Sequence, residues 1–399
     1  MDIFIGIIVG LLVLIALVTA HEFGHFLMAR RNGVRVLEFG ICFPPRAIAW
    51  VKDPKTKKWT KIPKKDWKKP QEGLVFSLNW LPIGGFCQMD GESDADERKG
   101  TFGAANYWKK TKILFGGVAV NWLIAIIIFT ILAWTGMPTF LDNQFTIASD
   151  TTVNYEYVTV GTVAENSPAA QAGIQTGDQI VAVDGVTYYH GSEITDYDDQ
   201  HADEDVAFTI QRNEETFDIV IHLNPADSDY LLGVTLSTTQ SLSYSTWSAP
   251  LVGVGLTAQL TGETFKGLGQ LVVNLFTGTL SQLSFDESTR QSGQEALQTV
   301  GDSVSGPVGI IGTLFPAFTS AGPANLAFLS ALISVSLACM NVIPIPALDG
   351  GRWFLITLYR LRKKKLTKEV EEKIVARAFT VLLALIVIVT ILDVVRLFQ

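Results

Sequence analysis

The stretch FIGIIVGLLVLIALVTAHEFGH, residues 4–25, decides how this chain is read. Residues 4–20 carry no Asp, Glu, Lys or Arg, and the run passes without a proline into His21-Glu22-Phe23-Gly24-His25. Continued through that motif, it is long enough for a spanning helix, which needs ~20 apolar residues. On a helix, His21 and His25 stand at i and i+4 on one face. Both imidazoles then reach one metal ion, and Glu22 is placed to take a proton from a bound water. The bland alternative is a pair of ordinary helix histidines. Against it, the chain has five histidines and two fall at this spacing at the end of an apolar run, where ionisable groups are costly and by default functional. A cleavable leader reads poorly. The only early charge is Asp2, and a cut after Val18-Thr19-Ala20 leaves the motif with no helix to hold it.

Outward from this stretch, the 399 residues are 48% hydrophobic with a mean hydropathy of +0.29 and a net charge of −8. Two more runs, 113–134 and 303–348, are free of charge, and a fourth apolar run covers 378–392. The fourth spans a bilayer only if Arg377 or Asp393 sits at an interface, where a long Arg stem can snorkel. Charge is segregated. Arg46–Lys69 holds 10 basic and two acidic residues, and Arg360, Arg362, Lys363, Lys364 and Lys365 form a second basic cluster. Thr135–Trp247 holds 18 acidic residues and one basic residue, Arg212. Short basic loops stay in the cytoplasm. The expected topology is therefore four spans, with 30–112 and 360–373 inside and the acidic domain and both termini outside. The basic loops suit anionic lipid headgroups; they carry no nucleic-acid-binding motif, so no nucleic-acid partner is expected. Cys42, Cys87 and Cys339 all lie outside the acidic domain and show no CxxC spacing, which argues against a disulfide framework.

Between the spans, Val36–Ile41 and Ala47–Val51 read as short strands around Pro44-Pro45. Leu74–Leu81 and Phe86–Met89 flank Pro82-Ile83-Gly84-Gly85, a turn signal, and predict an apolar hairpin. It is either a partly buried surface hairpin or a loop dipping into the membrane beside the metal, which backbone tolerates only when buried in protein or lining a wet cavity. Bulky residues at Gly84 or Gly85 are expected to block strand pairing there. Helix two covers roughly 105–134. Its Gly116-Gly117 permits close helix approach, and its Asn121 either makes an interhelical contact or faces the catalytic cavity. Residues 247–277 predict an interfacial amphipathic helix pair, and 278–302 a polar loop.

A catalytic zinc needs a third protein ligand and keeps a fourth position for water. His190, His201 and His222 all fall in the acidic domain. The best candidate is Asp349, the first charge after 46 uncharged residues, in NVIPIPALDGG, 341–351. Pro344 and Pro346 cannot continue a regular helix, so the chain is broken open there. The alternative is a helix-capping Asp at a membrane boundary.

The segment VTVGTVAENSPAAQAGIQTGDQIVAVDG, 158–185, resembles a circularly permuted, bacterial-type PDZ domain. That resemblance implies that Leu231, Leu232, Gly233 and Val234 form the loop whose amides receive a peptide terminus as an added strand; the alternative is an ordinary strand with a glycine. HEFGH, the PIGGF hairpin, the PDZ-like insert, SGPVGI at 305–310 and NVIPIPALDGG together resemble the site-2 protease family, close to RseP-type enzymes, over nearly the whole chain. The resemblance implies a multi-pass α-helical membrane protein of about four transmembrane helices, with an inserted β-rich PDZ-like domain and a membrane-associated β-hairpin. The expected organisation is 1–30, transmembrane helix with HExxH; 31–104, basic cytoplasmic loop and hairpin; 105–135, second transmembrane helix; 136–240, extracytoplasmic PDZ-like domain; 241–322, amphipathic region; 323–352, third transmembrane helix; 353–399, basic loop and fourth. It implies one Zn2+ per chain, and a zinc-dependent intramembrane endopeptidase in a bacterial inner membrane. The implied substrates are single-pass membrane proteins already cut by another protease, for example anti-sigma factors or signal-peptide remnants. Asn341 is expected to help position substrate, and the Gly84-Gly85 hairpin to pair with the substrate strand. One PDZ-like domain is found where some relatives have two, and the lysine-rich loop 52–69 has no assigned role. The competing readings are a zinc protease acting outside the bilayer and a non-catalytic membrane adaptor that binds peptides through the PDZ-like domain.

Overall fold

The computed structural model of the chain describes residues 2–396 except 68, 142, 155–156, 190, 214, 229, 238–240, 283–285 and 304–305. Two units form: residues 1–132 with 249–399, and residues 133–248. Ser305 of the SGPVGI motif and His190 lie outside the described residues.

The first unit opens with α1 (Asp2–Arg31), which carries the HExxH motif at residues 21–25, in its C-terminal third. Its Phe23 and Phe26 pack against Phe39 and Phe76 of the sheet that follows. That sheet joins β1 (Val36–Lys52), β2 (Trp59–Lys61) and β3 (Leu74–Met89). The hairpin expected within 74–89 does not pair with itself. Gly40 and Ile41 pair on one side with Phe86 and Gly85, and on the other with Ser77 and Leu78. The second half of β1 then pairs with the first half of β3, from Ile48↔Leu78 to Lys52↔Leu74. Both strands double back, and the first half of β1 lies between the halves of β3. The segment 85–89 is left as an edge.

Helix two is interrupted at Phe115, giving α2 (Tyr107–Leu114) and the apolar α3 (Gly116–Thr135). A Cβ on Gly24 would stand 2.3 Å from Gly116 O, and one on Gly116 would stand 2.7 Å from Gly24 O. The α1–α3 crossing is therefore closer than any larger residue allows.

The second unit contains β4 (Met137–Pro138), β5 (Thr152–Asn154), β6 (Val158–Val163), α4 (Pro168–Ala172), β7 (Gln179–Val183), α5 (Gly191–Gln200), β8 (Asp205–Arg212), β9 (Glu215–His222), β10 (Val234–Ser237) and β11 (Leu242–Tyr244). A five-stranded sheet has the order β10-β6-β7-β8-β9, and a small sheet the order β4-β11-β5. Ser167 caps α4 through Ala170 N, and Gly173 ends it at φ +84°, the left-handed position that glycine occupies without strain. Val158, Val160, Ile180, Ile194, Phe208 and Ile210 form its core.

The chain returns to the first unit through α6 (Ala249–Ser281) and α7 (Glu287–Ser303). The interfacial helix pair expected over 247–277 is instead one helix of 33 residues, and most of the segment expected to be loop is helical. α8 (Pro307–Gly309), a π-turn at Ile310–Leu314 and α9 (Phe315–Ser320) follow. Phe315 and Pro316 sit on α1 where Gly10 and Gly6 leave room. α10 (Pro323–Val342) stops before Pro344, so the helix expected over 323–352 ends ten residues early, and α11 (Asp349–Leu361) starts anew at Asp349. α12 (Lys368–Arg396) closes the chain. Its Asp393 is buried and accepts from Gly306 N at 3.1 Å and Gly309 N at 2.8 Å, which answers how that carboxylate is accommodated in an apolar run. Among the described residues, four helices are long and apolar enough to cross a membrane: Ile3–Arg31, Gly116–Thr135, Pro323–Val342 and Lys368–Ile391.

Candidate metal centre

His21 and His25 are both buried on the face of α1 turned to α3. A Cβ on Gly117 would fall 2.6–2.7 Å from Cε1, Nδ1 and Nε2 of His21, so the bare backbone of α3 is the floor on which that ring lies. Asp349 arrives from the far end of the sequence because residues 343–348 reverse the chain. Gly350 and Gly351 press against the carbonyls of Val342 and Ile345, where a Cβ would come within 2.1 and 1.9 Å. Pro344 and Pro346 end α10, and the paired glycines let α11 begin against its stump.

The three donors meet. His21 Nε2 lies 3.1 Å from Asp349 Oδ2, His25 Nε2 lies 3.2 Å from the same oxygen, and the two Nε2 atoms are 3.1 Å apart. Two imidazole nitrogens at a carboxylate oxygen with these spacings fit a tetrahedral zinc shell, whose ligand–ligand edge is about 3.3 Å for bonds of about 2.0 Å. His25 Nδ1 donates to Ile113 O at 2.9 Å, which leaves its Nε2 lone pair for a metal. Glu22 is within 4.8 Å of the histidine donors.

Asn121 both meets a neighbouring helix, through its backbone carbonyl, and lines the cavity beside His21. It is fully buried, its carbonyl accepts from Ser334 Oγ of α10, and its side chain lies 3.4 Å from His21 Nδ1. Its Oδ1 has no partner. A cavity of about 280 Å3 is lined by Val18, His21, Glu22, Asn121, Asn341 and Asp349, among others. Asn341 donates to Leu337 O at 3.0 Å within its own helix. A second cavity, about 860 Å3, shares Asp349 and mixes apolar residues such as Leu37, Met89 and Val375 with charged ones such as Glu92, Arg98, Arg352 and Glu371. Gly84, at φ +65°, would meet Val18 Cγ1 at 2.8 Å through a Cβ, and Gly85 would meet Gly40 O at 3.0 Å and Thr19 Oγ1 at 3.2 Å. The turn thus packs on α1 one helical step before His21.

In the second unit, Leu232 points into the core, while Gly233 at φ +80° would strike Ser167 Cβ at 2.2 Å if it carried a side chain. Leu232, Gly233 and Val234 line a cavity of about 630 Å3 between β10 and α5. Sequence reasoning missed Asp198, which lines the same cavity; a lone Asp on an acidic helix carries no signal of its own.

Apolar spans, an HExxH helix and a carboxylate brought to it define a class, the membrane metallopeptidases. The chain belongs to peptidase family M50, whose sequence profile matches residues 9–386. This is the site-2 protease resemblance read from its motifs. It is 28% identical over 391 residues to a Clostridium perfringens protein with a provisional zinc metalloprotease name, covering 98% of each chain. It is 28% identical over 306 residues, 75% of this chain and 63% of the other, to the zinc metalloprotease RasP of Shouchella clausii. Among solved structures, the PDZ domain of an SdrC-like protein from Listeria monocytogenes is 26% identical, covering 21% of this chain and 92% of that one, with a TM-score of 0.20.

Proposed function

We propose that this peptidase holds one zinc through His21, His25 and Asp349, and cuts single-pass membrane proteins in or near their transmembrane segment after an earlier cut by another protease. The observation that carries the reading is the triangle of Nε2, Nε2 and Oδ2 atoms 3.1–3.2 Å apart. Zinc bound there supplies Lewis acidity to the scissile carbonyl and to the attacking water. Glu22 takes the proton from that water and returns it to the leaving amine. Ligation through Nε2 of His21 leaves the ring proton on Nδ1, and the Asn121 carboxamide, turned to present its orphan Oδ1, accepts it.

A transmembrane helix has its amides bonded internally, so it must unwind before attack. The 85–89 edge can hold the unwound segment as an added strand. Gly84 and Gly85 keep the edge against α1, and Asn341 faces the reacting segment from α10. The 860 Å3 cavity, partly lined by charged groups, supplies water to a site set among apolar helices. The acidic unit stands outside a bacterial inner membrane and its Leu232–Val234 loop receives a peptide terminus. The basic loops stay inside, where positive charge is retained.

The test is cleavage of a reconstituted single-pass substrate in liposomes. Wild type with zinc is expected to cut within or beside the span, and Glu22→Gln and chelated wild type are expected not to. A Glu22→Gln protein that cuts at the wild-type rate overturns the mechanism. A wild type that cuts only soluble proteins overturns the substrate assignment.

A further inference from the structure

The 630 Å3 cavity of the second unit has a feature that a plain apolar peptide pocket lacks. β10 is an edge strand, paired on one side with β6. Its other side faces α5, close enough that a Cβ on Gly191 would stand 2.9 Å from Leu236 Cβ. The carbonyls of Leu231, Leu232 and Gly233 accept from the amides of Asn224, Ala169 and Ala164. In a trans peptide the next N–H points away from the carbonyl, so the amides of 232–234 are turned from those partners.

Asp198 lies on the inner face of α5, one turn after Ile194 of the core, and is 5% exposed. Its Oδ1 is buried without a hydrogen-bond partner and the residue lines this cavity beside Leu232 and Gly233. Buried carboxylate oxygens are normally satisfied, and an orphan asks for a partner from outside the chain. The surroundings set its charge. The unit holds 18 acidic residues, and its single Arg or Lys, Arg212, is committed to Asp178 at 2.6 Å. Asp199 lines the same cavity.

We propose that this cavity receives the free carboxyl end of an extended peptide whose last side chain is cationic, lysine or arginine, and that Asp198 pairs with that cation. The proposal rests on the reading of this unit as a peptide-binding domain. The amides of 232–234 hold the terminal carboxylate, and the aliphatic stem of the side chain packs beside Leu231 and Leu236 on its way to Oδ1. A leucine-ended peptide leaves the carboxylate buried and alone.

The experiment uses the full chain carrying Glu22→Gln, zinc-loaded in nanodiscs, so that peptides are bound and not cut. Fluorescein-labelled decapeptides identical except for a final Lys or Leu, and the Lys peptide with an amidated end, are titrated by anisotropy. The Lys acid is expected to bind at least ~10-fold more tightly than the Leu acid, and amidation to weaken it. Asp198→Leu is expected to reverse the preference and Asp198→Asn to reduce it severalfold. Equal binding of the two acids, or a lysine preference that survives Asp198→Leu, overturns the assignment of Asp198 while leaving a peptide-binding domain. Failure of every peptide to bind overturns both.

Discussion

The His21 ring resting on Gly117 is where a single atom decides whether the metal centre assembles. An added methyl would come within 2.7 Å of three ring atoms. Gly117→Ala is expected to weaken zinc binding at least ~10-fold in chelator competition while helical content is kept; unchanged affinity would remove Gly117 from the site. The sequence shows Gly116-Gly117 only as a place for close packing, because what lies on Gly117 is His21, 96 residues earlier in the chain. Sequence singles out His21, Glu22, His25 and Asp349 by local rules, i, i+4 spacing on a helix and a lone carboxylate after broken apolar chain, and the structure brings His21, His25 and Asp349 within 3.2 Å of one another. Asp198 gives a second test at this scale. Burial, reinforced by the neighbouring Asp199, raises its carboxyl to about 7. The folded domain therefore keeps a proton that the unfolded chain releases near pH 4. Its contribution to stability is complete below that and is lost as pH rises through about 7. Asp198→Asn, which never ionises, is expected to gain on wild type between pH 4.5 and pH 8, by up to ~4 kcal/mol at ~1.4 kcal/mol per unit. A gap in thermal unfolding that does not change with pH contradicts it.

The doubled-back pairing of β1 and β3 is the element-scale result that no local reading reaches. Apolar alternation and Pro-Ile-Gly-Gly signalled two segments and a turn, and the natural inference was that they pair. Which strand enters between them is set by nonlocal contacts, here the Phe26, Phe39 and Phe76 packing against α1. Gly85 carries the consequence. Valine there must displace Thr19 or the Gly40 carbonyl, so Gly85→Val is expected to cut proteolysis at least ~10-fold, and Gly85→Ala far less. Full activity in Gly85→Val would separate the edge from catalysis. α7 was missed for a different reason: its sequence is polar and lacks an apolar stripe, so periodicity is silent, and it packs on α6 near Gly278 and Gly293. Glu371 of α12 joins elements that sequence could not associate. It is buried, accepts from Ser93 Oγ at 3.1 Å and Asp94 N at 2.9 Å, and meets Arg352 Nε at 3.3 Å. Glu371→Gln leaves Arg352 without its counter-charge and is expected to cost ~3 kcal/mol, read as a lower unfolding temperature; no shift would show the network to be idle.

Across the whole molecule, composition foretold four apolar helices and an inserted β-rich unit, because bilayer thickness fixes helix length and charge is sorted along the chain. Reporters fused near Lys64 and within 190–205 are expected on opposite sides of the membrane, the first cytoplasmic; the reverse assignment would invert the topology. The proposed zinc site would join His21 and Asp349, 328 residues apart in the chain. The direct measurement is zinc per chain in purified wild type, Glu22→Gln and Asp349→Asn, each paired with cleavage of the reconstituted substrate. The account predicts about one zinc in wild type and Glu22→Gln, little in Asp349→Asn, and cleavage in wild type alone. An Asp349→Asn protein that binds zinc as tightly as wild type and still cuts would contradict it.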